Sequence, residues 1–171
     1  MNFESHKIVI IIPAYRVEQD IEKVLRGIPD YVKHIIVVDD ASPDSTSMVI
    51  TALSNSDSRL ILIQHSHNQG VGGAMISGFK KALELGAQIV VKIDGDGQMD
   101  ASYIPALITP LIQGKADYTK GNRFRDFSSL QKMPLIRRVG NLGLSFLTKA
   151  ATGYWNIFDP TNGFFAIRAE V

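Results

Sequence analysis

Two aspartates flank one glycine in Asp94-Gly95-Asp96, directly after the apolar run Ile89–Ile93. Two carboxylates one residue apart at a strand end can reach the same hard divalent cation, which takes oxygen ligands. The intervening glycine keeps the approach open and permits unusual backbone angles. A cation there, shared with a diphosphate, would neutralise charge on a departing phosphate group. Three further polar clusters also follow apolar runs: Pro13-Ala14-Tyr15, Asp39-Asp40 and Gly121-Asn122-Arg123. Each alone has an ordinary explanation, since Asp-Gly pairs form turns and Asp39-Asp40 could begin a helix. Their common placement at strand ends is what favours a site. His65-x-His67 could bind a metal in principle, but isolated histidines after a strand are more often structural or exposed.

Charge is unevenly spread. Lys120, Arg123, Arg125, Lys132, Arg137 and Arg138 stand against Asp126 alone, so this segment carries +5 within a chain of net charge +1. The remainder is acidic, with a tight group at Asp94, Asp96 and Asp100. A charge run is ordinarily a solvated face. It gains meaning only where it shares a cleft with the acidic group.

Positioning these groups requires a sheet. Ile8–Ile12, Ile35–Val38, Leu60–Ile63 and Ile89–Ile93 are continuous apolar runs rather than alternating ones. Such strands are buried on both faces, the mark of a parallel sheet covered by helices. Glu18–Arg26, Ser45–Leu53 and Gly70–Leu85 fit helices between them. In the third, Val71, Ala74, Met75, Gly78, Phe79, Ala82 and Leu83 recur at three- and four-residue steps. Asp44 or Ser42 can cap the second, with Pro43 near its first turn. A fourth helix is expected over Ser102–Ile112, then short strands near Asp117–Lys120 and Gly163–Ile167. The series is βαβ, an open α/β sheet whose ligands bind outside the carboxyl ends of the strands.

Length and composition bound the possibilities. At 171 residues, 45% hydrophobic and 20% charged, the chain fits one ordinary globular domain. The absence of cysteine excludes a disulfide framework, a thiolate metal site and a cysteine nucleophile. Near-neutral net charge does not indicate a nucleic-acid binder. No apolar run approaches bilayer-spanning length and the amino terminus lacks a signal-peptide pattern, so a cytoplasmic soluble domain is expected. The first strand ends without the glycines of a dinucleotide fingerprint. Met99 and Pro105 stand where an EF-hand beginning at Asp94 needs glycine and glutamate, and no Walker lysine pattern occurs.

Six ordered segments carry a resemblance: IIIPAY at 10–15, VVDDASPDST at 37–46, HNQGVGGAM at 67–75, VKIDGDGQMD at 91–100, KGNRF at 120–124 and FDPTNGFFAIR at 158–168. Together they resemble the family 2 glycosyltransferases of the GT-A fold, in the dolichyl-phosphate mannose synthase and polyprenyl-phosphate glycosyltransferase branch. The resemblance implies a Rossmann-like, mostly parallel open sheet with helices on both faces. It further implies a single catalytic domain over 1–171, which stops short of the family's usual carboxyl-terminal elements. The implied reaction moves a sugar, with inversion, from a UDP- or GDP-linked donor.

By position, Pro13, Ala14 and Tyr15 would line the nucleoside pocket, with Asp40 and Asp39 on the base edge. Asp94 and Asp96 match the family's DxD motif and imply Mg²⁺ or Mn²⁺, with Asp96 the better candidate for direct metal contact. Asp159 matches the acidic residue where the acceptor is engaged. The chain departs from the pattern at Arg16-Val17, where Asn-Glu is usual, and at Asn122 and Asn162, where serine is usual.

A sugar hydroxyl acceptor would need a base, and Asp159 is the natural one. A lipid phosphate, with a second pKa near ~6, is already largely ionised and needs cations instead. Arg123 and Lys120 suit that role, because arginine offers phosphate a fork of donors. The basic segment thus favours a polyprenyl phosphate acceptor. A glycan hydroxyl acceptor, or a non-catalytic nucleotide-sugar-binding fragment, are the competing expectations. Leu135, Val139, Leu142, Phe146 and Ala150 form one apolar face, read equally as a core helix or as a helix at a membrane surface. Membrane association of the full-length protein follows from the resemblance.

Overall fold

The computed structural model describes residues 2–122, 153 and 162–171. The four continuous apolar runs become parallel strands β1 (Ile8–Ala14), β2 (His34–Asp39), β3 (Leu60–Gln64) and β4 (Ile89–Lys92). Two short strands, β5 (Tyr118–Lys120) and β6 (Phe165–Arg168), complete a six-stranded sheet of order β3-β2-β1-β4-β6-β5. Of the pairings whose register is defined, only β4–β6 is antiparallel. The chain divides into two compact units, Met1–Thr119 with Phe164–Val171 and Lys120–Gly163. The sheet and its helices belong to the first, apart from Lys120 at the end of β5.

Strand alternation explains the two cores. Ile8, Ile10 and Ile12 point to one face of β1, where Ile21 and Leu25 of helix α1 (Ile21–Arg26), Ile50 of α2 (Thr46–Ser54) and Ile108 of α4 (Ile104–Ile112) pack with them. Val9 and Ile11 point to the other, against Ala74 and Ala82 of α3 (Gly70–Glu84). The expected α/β architecture with helices on both faces is therefore present.

Local departures have identifiable causes. Helix α1 starts at Ile21 instead of Glu18, after a turn in which the N–H groups of Asp20 and Ile21 both donate to the Val17 carbonyl. Helix α4 starts at Ile104 after a short 3-10 turn whose first residues are capped by Asp100, accepting from the Ser102 N–H at 2.8 Å. On α3 the apolar stripe narrows. Ala74, Gly78 and Ala82 are buried, while Val71 and Leu83 are 62% and 57% exposed. A methyl added at Gly78 would sit 2.4 Å from Ile11 Cγ2, so the helix lies close to the sheet along its small residues. That close seam turns the two ends of the stripe outward.

Candidate functional site

The carboxyl ends of β2, β1 and β4 are neighbours along one sheet edge, and each carries polar groups the sequence singled out. Pro13 and Ala14 lie within β1, Ala14 opposite Asp39, and the Asp40 N–H donates to the Ala14 carbonyl at 2.9 Å. The chain then leaves the sheet at Tyr15, which is 44% exposed. The Arg16 guanidinium carbon lies 5.3 Å from the Tyr15 ring centroid, a cation–π arrangement.

The loops after β1 and β2 are laced together. The Arg16 N–H donates to Ser42 Oγ at 3.1 Å, the Ser42 N–H to Asp39 Oδ1 at 3.1 Å, and the Val17 N–H to Thr46 Oγ1 at 3.0 Å. The Ser45 N–H donates to Glu18 Oε2 at 2.8 Å. Ser42 therefore joins the two loops and does not cap α2, while Asp44 does accept from the Thr46 N–H at 3.2 Å. Arg16 and Ala41 hold φ of 56° and 58°, left-handed values that cost non-glycine residues energy and persist where surroundings enforce them.

Asp39 and Asp40 are both buried but do different work. Asp39 builds the turn through Ser42. Asp40 Oδ1 accepts from His65 Nδ1 at 2.7 Å and from the Gln69 N–H at 2.9 Å, at the start of α3. Burial alone pushes the Asp40 carboxyl up. The Gln69 N–H, the His65 ring and the Gly70 N–H more than reverse this, leaving it below its ordinary value. On the far side of the ring, His65 Nε2 lies 2.8 Å from the Ser77 hydroxyl. This part-buried Asp40–His65–Ser77 chain fixes one acidic group at the sheet edge. The sequence expectation that His65 is structural is met, and His67 is exposed.

The β4 end is organised differently. Asp94 is about one-third exposed and forms an ion pair with the buried ammonium of Lys92. Asp96 is exposed, its Oδ1 accepting from the Gln98 N–H at 3.1 Å. Gly95 is buried with an added methyl lying 3.3 Å from Val17 Cγ2, and Gly97 holds φ of +70°. Asp100, grouped with these acids in the sequence, caps the 3-10 turn before α4. Lys92 and the His65–Ser77 pair are the groups that reading the sequence missed. A lysine inside an apolar strand run was the available signal for the first; the second joins residues distant in sequence and left none.

Hard oxygen donors suit Mg²⁺ or Mn²⁺. Among the described residues no three His, Cys, Asp or Glu side chains gather around one point. Asp94 and Asp96 offer two carboxylates of this kind, one residue apart, at the β4 end. Lys120 ends β5 in the second unit. Arg123, Asp159 and the Leu135–Ala151 stretch lie outside the described residues. No helix among the described residues is long and apolar enough to cross a membrane.

The chain is 39% identical over 169 residues to the UDP-N-acetylglucosamine–dolichyl-phosphate N-acetylglucosaminyltransferase of Methanococcus voltae, covering 91% of this chain and 67% of that protein. It is 31% identical over 170 residues to the dolichol-phosphate mannosyltransferase of Pyrococcus furiosus, covering 96% and 47% respectively. It spans about half to two-thirds of the length of these relatives. Among solved structures, the glucosyl-3-phosphoglycerate synthase of Mycobacterium tuberculosis with Mn²⁺ and UDP-glucose superposes with a TM-score of 0.72 at 22% identity, covering 98% of this chain and 59% of that one. The shared architecture is the GT-A fold. The model of glycosyl transferase family 2 matches residues 9–171, and the chain belongs to that family.

Proposed function

We propose that this chain transfers a sugar, with inversion, from a nucleotide-diphospho-sugar to a polyprenyl phosphate. The observation that carries the reading is the convergence of Tyr15, Asp40 and the Asp94/Asp96 pair on adjacent strand ends of one sheet edge. The names of the relatives from Methanococcus voltae and Pyrococcus furiosus support a lipid-phosphate acceptor, and the first makes UDP a donor to test beside the GDP that the sequence resemblance implies.

In this reading Tyr15 stacks on the base, and Pro13 and Ala14 shape the pocket wall. Asp40 accepts from the base edge, held in its ionised form by His65 and the α3 amino terminus. Asp96, with Asp94 beside it, would hold Mg²⁺ or Mn²⁺, which would supply positive charge to a departing diphosphate. The chain needs no covalent nucleophile, because one displacement at the anomeric carbon inverts it. A phosphate acceptor arrives already ionised at neutral pH, its second pKa being about 6. Arg123 and Lys120 then have the task of binding anionic phosphate, and Asp159 engages the acceptor. Association with a membrane surface follows from the acceptor's chemistry.

The test is an acceptor panel with UDP- and GDP-sugars and Mn²⁺: polyprenyl phosphate in detergent, polyprenol lacking the phosphate, and a free glycan. A glycosyl phospholipid formed only with polyprenyl phosphate is expected. Equal transfer to the glycan would move the reading to base catalysis by Asp159, and nucleotide binding without any turnover would overturn it. Arg123→Ala should cripple transfer while leaving nucleotide affinity nearly intact.

A further inference from the structure

Lys92 is the last residue of β4, an otherwise apolar strand buried throughout. Its backbone sits opposite Ile11 of β1 and Phe165 of β6, and only 5% of the residue is exposed. Alternation along the strand places its side chain with Val90 on the α3 face. There its ammonium pairs with Asp94 Oδ1. Burying a lysine costs more than burying an apolar residue of similar volume, even when it is paired, so packing alone does not account for it.

Charge accounts for it better. A site that must accept a polyphosphate beside two carboxylates meets repulsion unless cations are present. Asp94 and Asp96 together carry two negative charges, and Lys92 cancels one of them within the protein. Among the described residues no cation engages Asp96, which is exposed. We infer that Lys92 is a positioning residue that neutralises Asp94 in the resting site, so that a divalent ion is captured through Asp96 together with the donor's diphosphate, not by the protein alone. The inference rests on reading this edge as the metal–diphosphate site.

Electron paramagnetic resonance of free Mn²⁺ tests it, using the whole chain without nucleotide and then with UDP or GDP. Removing a unit charge a few ångströms away should tighten binding of Mn²⁺ alone by about tenfold in Lys92→Met. Lys92→Arg, which keeps the charge, should stay within about twofold of wild type by the same reasoning. The double variant Lys92→Met/Asp94→Asn removes the pair together and leaves no lone buried charge, so it folds even where the single variant does not. Its local charge equals that of wild type, and its Mn²⁺ affinity should match wild type within about twofold.

Unchanged or weaker Mn²⁺ binding by Lys92→Met would overturn the inference, as would a tenfold loss in the double variant. Either result would mean that Lys92 merely orients a direct Asp94 ligand. The nucleotide arm separates the two claims. If neither UDP nor GDP strengthens Mn²⁺ binding to wild type, the diphosphate reading of the edge fails, while the Mn²⁺-only comparison still decides the role of Lys92.

Discussion

The two acidic ends of the sheet edge solve the same problem in opposite ways. At the β1/β2 end, Asp40 is buried, accepts from a histidine and a backbone N–H, and sits between loops tied by side chains of Ser42, Thr46 and Glu18. Its left-handed turns fall on Arg16 and Ala41, residues that tolerate them only because the lacing holds them. At the β4 end, the left-handed turn falls on Gly97, and Asp96 is exposed. One end is prebuilt by the protein at some conformational cost. In the proposed reading the other is completed by what binds there, which is economical when the ligand brings its own charges.

The largest effect should come from the end that the ligand completes. Asp96→Asn is expected to lower sugar transfer by about a hundredfold or more while leaving thermal stability within about 1 °C, since metal-borne charge stabilisation amounts to several kcal/mol and the side chain is exposed. A matched fall in melting temperature would break the comparison, because it would make Asp96 a structural residue.

At the prebuilt end, Asp40→Asn should lower stability by about 2 kcal/mol, the scale of a charge-assisted hydrogen bond. The effect has a defined pH dependence. The folded carboxyl titrates below its unfolded value of 3.8, so its contribution is full above that value and is lost as pH falls through the lower folded one. Melting curves of wild type and variant should therefore converge in acid and stay apart from about pH 5 upward.

Next in size, Gly78→Ala should cost about 1–3 kcal/mol, because its methyl meets Ile11 where α3 lies closest to β1. Denaturant titration measures it, and nucleotide affinity of the folded fraction should not change.

The smallest pair sharpens the contrast directly. Ala41→Gly relieves a left-handed turn and should raise the melting temperature by about 2 °C, whereas Gly97→Ala imposes one and should lower it by about 4 °C. Equal responses at both positions would remove the distinction between the ends.

The sheet was legible because continuous Ile/Val runs have few alternatives to a strand covered on both faces, and the described strands β1 to β4 fall on those runs. The sheet-edge residues were legible for a related reason, since Tyr15 and Asp40 directly follow β1 and β2, and Asp94 stands two residues after β4. Ordering within the edge was not. That Asp40 is held by His65, itself bonded to Ser77, depends on how β3 and α3 meet in space, and that Asp94 is paired internally depends on the burial of the Lys92 side chain beside it. The narrowing of the α3 stripe likewise depends on the approach of Gly78 to Ile11, a distance that helical periodicity does not contain.

Titration of UDP and of GDP into the protein by calorimetry, with and without Mn²⁺, most directly tests the claim that this edge binds a diphosphate through a ligand-completed metal site. Saturable binding of at least one nucleotide with Mn²⁺, weakened about tenfold or more without the ion and equally in Asp96→Asn, is the expected result. Binding of equal strength with and without Mn²⁺, or no binding of either nucleotide, would contradict it.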